Sequence, residues 1–268
     1  MVMTGGERNT GLLGLDMNVG FARAVLEGDV DGELWSSASG GEAAHHVVHS
    51  YGMSLIWGER VGDAFDEIVE RLLDGSYRTR DEWLQIDPRW AQLPWTERLA
   101  QPGGMPPLRV ESRLNFTFDP ALFRAATSIG APIGWSIVPA EASDFDRPGS
   151  VVPSYFWRDP AQFLARGGGW RAEKDGCRGA LVFSSFRFDA ELELGIETAP
   201  ESRGQGLGAA VAAWMIEDLL TQGISPVWSC RAGNTASARL AEKLGFRISK
   251  RLPYYGLPTA QTGQEDSQ

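Results

Sequence analysis

Residues 191–208 hold the side chains best spaced for chemistry. They read Glu-Leu-Glu-Leu-Gly-Ile-Glu-Thr, then Ala-Pro-Glu-Ser, then Arg-Gly-Gln-Gly-Leu-Gly. Side chains two apart share one face of a strand, so Glu191, Glu193 and Glu197 line up on the same side. Crowded like charges raise one another's pKa, and a carboxylate held nearer neutrality can accept a proton in a reaction. The plain alternative is a solvated acidic sheet face. The following turn offers the opposite polarity. Gly204, Gly206 and Gly208 let an anion approach the main chain, and a helix starting there presents unpaired N–H groups and the positive end of its dipole. Arg203 adds forked donors of fixed charge. A diphosphate is the anion that fits.

Three kinds of phosphate site compete. A nucleotide P-loop ends in Gly-Lys-Ser/Thr, whereas this turn runs Gly208-Ala209-Ala210. A dinucleotide fold matches loosely through Gly204-x-Gly206-x-x-Ala209. That fingerprint opens its domain, yet only 60 residues follow Gly208, and the strand Val227–Cys230 carries no acidic residue for a ribose. The third reading is the strongest. Arg203-x-x-Gly206-x-Gly208 after a strand resembles the acyl-CoA loop of the GNAT acyltransferase superfamily. Asn234-Thr-Ala-Ser237-Ala-Arg-Leu-Ala241-Glu-Lys-Leu-Gly245-Phe246 resembles that superfamily's second motif, one helix and one strand further on. The likeness covers about residues 130–256. Glu193-Leu-Gly-Ile-Glu-Thr198, Pro226-Val-Trp-Ser-Cys230 and Phe163-Leu-Ala-Arg-Gly-Gly168 are similar to the bacterial zwittermicin-resistance-type subgroup, with Ser229 where that subgroup leads us to expect Asp.

The resemblance implies transfer of an acetyl group from acetyl-CoA to a primary amine of a small molecule, by direct transfer in a ternary complex. An amine-bearing antibiotic or a polyamine would suit. Glu193 lies ten residues before Arg203, where related strands place an acidic residue, so it ranks first as the base and Glu197 second. Ile196 and Thr198 would lend main-chain groups to the pantetheine arm and thioester. Arg203, Gly204, Gln205, Gly206, Leu207 and Gly208 would hold the diphosphate. Asn234 and Ser237 would contact the pantetheine, and the plain alternative for Asn234 is capping the helix that follows it. Many relatives carry a Tyr general acid seven residues after the motif Asn, and here that residue is Ala241. Ser237, Cys230, Tyr254 and Tyr255 are the nearby substitutes. A catalytically silent acyl-CoA sensor or interaction module is the rival reading.

These residues need a scaffold, and the sequence predicts a mixed α/β (α+β) fold with a central sheet flanked by helices. Strand patterns cover 108–118, 133–138, 169–174, 179–188, 191–198, 226–231 and 246–252, and helices 206–222 and 234–244 end at Gly223 and Gly245. Asp159-Pro160 marks a helix start. Upstream, residues 11–105 form an N-terminal α/β region, with strand pieces at Leu34-Trp35 and 54–57 around a Gly40-Gly41 turn. A helix over 65–73 stops at Gly75. Gln101–Pro107 reads as a linker to a domain at 106–256, and 1–10 and 257–268 read as flexible tails.

The 268 residues carry 25 Lys and Arg against 35 Asp and Glu, a net charge of −10 that argues against nucleic acid and suits a cationic substrate. Two cysteines exclude a disulfide scaffold. No apolar run reaches the ~20 residues of a membrane helix and no leader is evident, so a cytoplasmic protein without a membrane partner is expected. The oligomeric state, a homodimer included, stays open. His45, His46 and His49 are the only histidines. In a strand the outer two stand about 13 Å apart, too far to share a metal. Trp214 and Trp228 are expected in the core. Trp135 and Phe156-Trp157 fit either the core or an acceptor wall, and Lys250-Arg251 either solvent or the adenosine phosphate.

Overall fold

The computed structural model describes residues 11–37, 43–100, 107–125 and 130–259. The Gly40-Gly41 turn, residues 101–106 of the expected linker and nearly all of both expected tails lie outside the described residues. The chain is a mixed α/β protein with two compact units, one of Met1–Leu114, Arg231–Gly233 and Lys250–Gln268, the other of Asn115–Cys230 and Asn234–Ser249.

In the first unit, helix α1 (Gly20–Leu26) precedes strands β1 (Gly32–Ser36), β2 (Ala44–His49) and β3 (Met53–Gly58), which pair as an antiparallel meander. Helix α2 (Phe65–Asp74) then returns the chain to β4 (Glu82–Ile86), parallel to β3. The apolar spacing read from the sequence is the buried stripe of α2. Phe65, Ile68, Val69 and Leu72 point inward, and Gly75 ends the helix at φ +59°, a conformation open to glycine at little cost. That stripe packs with Ile56, Leu84, Ile86 and with Trp95 and Leu99 of helix α3 (Trp95–Leu99).

Strand β5 (Arg109–Phe118) and helix α4 (Pro120–Ala125) lead into the second unit. Strands β6 (Ser136–Pro139), β7 (Gly169–Lys174), β8 (Cys177–Phe188) and β9 (Glu191–Thr198) follow, and β7, β8 and β9 each pair antiparallel with the strand before. Helix α5 (Leu207–Thr221) crosses to β10 (Ser225–Val227), parallel to β9. Strand β11 (Ser229–Arg231), helix α6 (Thr235–Lys243) and strand β12 (Phe246–Leu257) come next. One sheet has the order β10-β9-β8-β7-β6. The other runs β1-β2-β3-β4-β12-β5-β11.

Several elements correct the sequence reading. The expected strand 226–231 is two strands in different sheets, separated at Trp228. The expected strand 133–138 begins only at Ser136, and Ile133 is fully exposed. Trp214 is 44% exposed instead of buried, because α5 is apolar on every side and its periodicity does not say which residue faces out. Strands β2 and β4 and helix α1 were not anticipated. Trp228 is buried as expected.

Candidate functional site

The site is built around a fork in the five-stranded sheet. β10 pairs with β9 only at residues 191–193, through Ser225, Pro226 and Val227. β9 continues for five more residues to Thr198, held on its other edge by Ala180–Ser184 of β8. Beyond Glu193, then, the edge of β9 that β10 had covered is left to other partners. β8 carries one extra residue opposite the fork, between Ser184 and Phe186, and such a bulge bends the strand locally. Gly195 is required at this point. A Cβ there would lie 2.4 Å from Phe183 Cζ and 2.6 Å from Ser185 Oγ.

The turn after β9 has the geometry expected of an anion cradle. Gly204 and Gly206 adopt φ +78° and +79°, where a side chain is strained, and a Cβ on either would meet nothing within 4 Å. The surface there is thus open main chain. Gly206 is the N-cap of α5, no side chain caps the helix, and its first turn holds no acidic residue. The N–H groups and positive dipole end of α5 are therefore not satisfied by the chain's own carboxylates. Gly208 lies close under β9, its Cβ position 3.1 Å from Thr198 Oγ1. Leu207 is buried and anchors the helix start. Gln205 Nε2 donates to the Glu201 carbonyl (3.3 Å). Arg203 is 63% exposed, donates through Nε to the Thr198 carbonyl (3.3 Å), and stands 3.8 Å from Glu197 Oε1. So exposed an ion pair is worth little in water, which leaves the guanidinium available to a ligand anion.

The three carboxylates of β9 have different surroundings. Glu191 is exposed. Glu193, at the fork, is 8% exposed and accepts a hydrogen bond from Ser229 Oγ (2.7 Å). Ser229, the departure noted in the sequence, therefore faces the leading base candidate. Glu197 Oε2 accepts the main-chain N–H groups of Ser150 (2.7 Å) and Val151 (2.9 Å). It ties the 146–152 segment to the end of β9, a role that no sequence signal announced. Beside it a cavity of about 50 Å³ is lined by residues including Asp144, Arg147, Arg178 and Leu181. A more open cleft of about 420 Å³ shares the same two arginines and reaches Glu201 and Ser202.

The second motif is structural in its visible contacts. Asn234 Oδ1 accepts the N–H of Ser237 (3.1 Å) and caps α6, while Ser237 Oγ accepts from Trp228 Nε1 (3.1 Å). Gly245, at φ +86°, permits the close approach of α4, whose Phe123 N would lie 2.6 Å from a Cβ. Ala241 is fully buried, as are Tyr254 and Tyr255 nearly so; Tyr254 stacks on Trp83, and burial raises its phenol pKa. Phe156 and Trp157 belong to the core, with Trp157 Nε1 donating to the Ser184 carbonyl (2.6 Å). Lys250 pairs with Asp16. Among the described residues no group of His, Cys, Asp and Glu could hold a metal, and no helix is long and apolar enough to cross a membrane.

Comparison with known proteins bears on this geometry. The family model described as GNAT acetyltransferase matches residues 141–255, a stretch that contains β7 to β10, the glycine turn and α6. That stretch, less than half of the chain, is similar to the GNAT acetyltransferase family. Among curated relatives, the uncharacterized N-acetyltransferase YdfB of Bacillus subtilis is 33% identical over 101 residues, 37% of this chain and 39% of that protein. The [ribosomal protein bS18]-alanine N-acetyltransferase of Escherichia coli is 32% identical over 96 residues, 35% of this chain and 63% of that enzyme. The match thus spans less than two thirds of either relative. A GCN5-related N-acetyltransferase-like protein from Streptococcus suis superposes with a TM-score of 0.66 at 20% identity, over 94% of this chain and 98% of that one. A tandem GNAT protein from the clavulanic acid biosynthesis pathway gives 0.60 at 13% identity, over 94% and 91%. At such identities these two establish the shared fold alone.

Proposed function

We propose that the chain transfers an acetyl group from acetyl-CoA to a primary amine, by direct attack within a complex that holds both. One observation carries this reading. β9 runs five residues past its pairing with β10, into a turn of two left-handed glycines and a helix start with no side-chain cap. A diphosphate fits the turn, and an extended pantetheine arm fits the open edge beside Ile196 and Thr198. Bound there, acetyl-CoA supplies an activated carbonyl carbon and a thiol leaving group.

The chain's own residues do the rest. Arg203 turns from Glu197 to the diphosphate. Glu193, at the fork, takes the proton that an ammonium must lose before its nitrogen can attack, directly or through one water. Ser229 fixes the orientation of that carboxylate. With Ala241 in place of a tyrosine, the departing thiolate takes its proton from water. Glu197, with two main-chain donors on one oxygen, is a positioning residue that holds the 146–152 segment beside the acceptor.

The net charge of −10 favours a cationic acceptor, and a small polyamine or amine-bearing antibiotic meets that condition. The bS18-alanine enzyme acts on a protein amine, so a peptide with an N-terminal alanine belongs in the same panel. The test is thiol release from acetyl-CoA by purified protein over such amines. Release with at least one class above background is expected. Tight acetyl-CoA binding with no release from any amine would favour the sensor reading, to which the missing tyrosine lends weight.

A further inference from the structure

The connections of the first unit repeat those of the second. β1, β2 and β3 form an antiparallel meander, a helix follows, and β4 returns parallel to β3. β7, β8 and β9 form an antiparallel meander, a helix follows, and β10 returns parallel to β9. Matched at the N-caps of α2 and α5, Gly62 takes the place of Gly204, and Ala64 and Asp66 take those of Gly206 and Gly208. We infer that residues 32–86 are a second copy of the strand–helix half that forms the acyl-CoA site, with its own cofactor slot closed, so that each chain holds one coenzyme A.

Three independent features close it. The first is charge. Val61, fully buried, stands where Arg203 does, and the first turn of α2 carries Asp66 and Glu67 where that of α5 carries no acid. The cations there are already paired, Arg60 with Asp63 (2.7 Å) and Arg98 with Asp66 (2.7 Å). A diphosphate would therefore face carboxylates at the helix start. The second is access. The Trp90 ring covers the turn, 2.9 Å from where a Cβ on Gly62 would stand, and its Nε1 donates to the Gly58 carbonyl (2.8 Å). At Gly204 and Gly206 that space is open. The third is the strand edge. β4 pairs with β3 from Met53↔Trp83 to Ile56↔Ile86, and Asp87 N adds a bond to the Ile56 carbonyl (2.9 Å). β3 ends two residues later, so its edge offers no free run comparable with residues 194–198.

This inference rests on the reading of the β9 turn as the coenzyme site, and the experiment separates the two. Coenzyme A is titrated calorimetrically into the full chain, and amide hydrogen exchange is followed with and without it. One equivalent per chain is expected, with protection over 194–210 and none over 53–67. A second equivalent, or protection over 53–67, would overturn the closed slot and leave the β9 site standing. Absence of binding would overturn the β9 site and the one-site statement with it. Gly206→Glu should weaken binding roughly a hundredfold by placing a like charge at the diphosphate. Undiminished saturable binding by that folded variant would place the ligand elsewhere and sink the inference.

Discussion

At the scale of single residues, Glu193 and Glu197 have different partners although they stand four residues apart on one strand face. Glu193→Gln is expected to lower kcat by roughly 10²–10⁴ with a much smaller effect on acetyl-CoA affinity, since it removes the proton acceptor and touches no phosphate. An unchanged kcat would remove Glu193 from that role. Glu197→Gln leaves Ser150 and Val151 N–H facing a neutral acceptor. The expected cost is about 1–2 kcal/mol in unfolding free energy, from charged hydrogen bonds made neutral. The acceptor KM should rise while kcat and the pH–rate profile hold; a collapse of kcat comparable to that of Glu193→Gln would make Glu197 the base instead.

Elements decide how much of this was legible. The β9–turn–α5 segment could be read because main-chain geometry dictates its residue types: alternation for the strand, then glycines at left-handed positions no other residue takes cheaply. The fork itself gave no local signal. Pro226-Val-Trp-Ser-Cys230 is all strand-compatible, and only the separation of two sheets breaks it at Trp228. β2 and β4 were hidden because they bury polar side chains. His46 Nε2 meets Glu82 Oε1 at 2.9 Å, with Ser54 and Arg78 also on that carboxylate, so the polar positions mimic an exposed segment. The motif Asn is a case where sequence left two roles open. Asn234→Ala is expected to cost about 1 kcal/mol in urea unfolding through the lost cap of α6. If capping is its whole role, the KM for acetyl-CoA stays put; a large rise would restore the pantetheine contact. Gly195→Ala overpacks β9 against Phe183 and Ser185 and should cost about 1–3 kcal/mol in the same assay.

For the molecule as a whole, acid stability follows from buried groups in the first unit. Burial lowers the His49 pKa from 6.5 to about 4, with the Arg80 charge adding to the effect. Below pH 6.5 the unfolded chain binds a proton that the folded one refuses, so stability falls as pH drops from about 6.5 to 4, by about 3 kcal/mol in all. Burial pushes the Glu82 carboxyl up, but the His46 charge and hydrogen bond, Arg78 and Ser54 overcome it and hold the group at about 2. Its contribution is complete above about pH 4.5 and is lost as pH falls toward 2. Urea titrations between pH 7 and 4 should show the first limb, and His49→Gln should flatten it; a variant with the full wild-type slope would assign the loss to another group.

Tyr254 of β12 pairs with Gln85 of β4, its partner by 169 positions of sequence. A ribosome delivers β4 well before β12. Between the two, a strand destined for the middle of a sheet therefore waits with one row of amides and carbonyls bare, an invitation to pair with a neighbouring nascent chain. Its shortness, five residues with Glu82 and Gln85 among them, is a fitting safeguard during that interval.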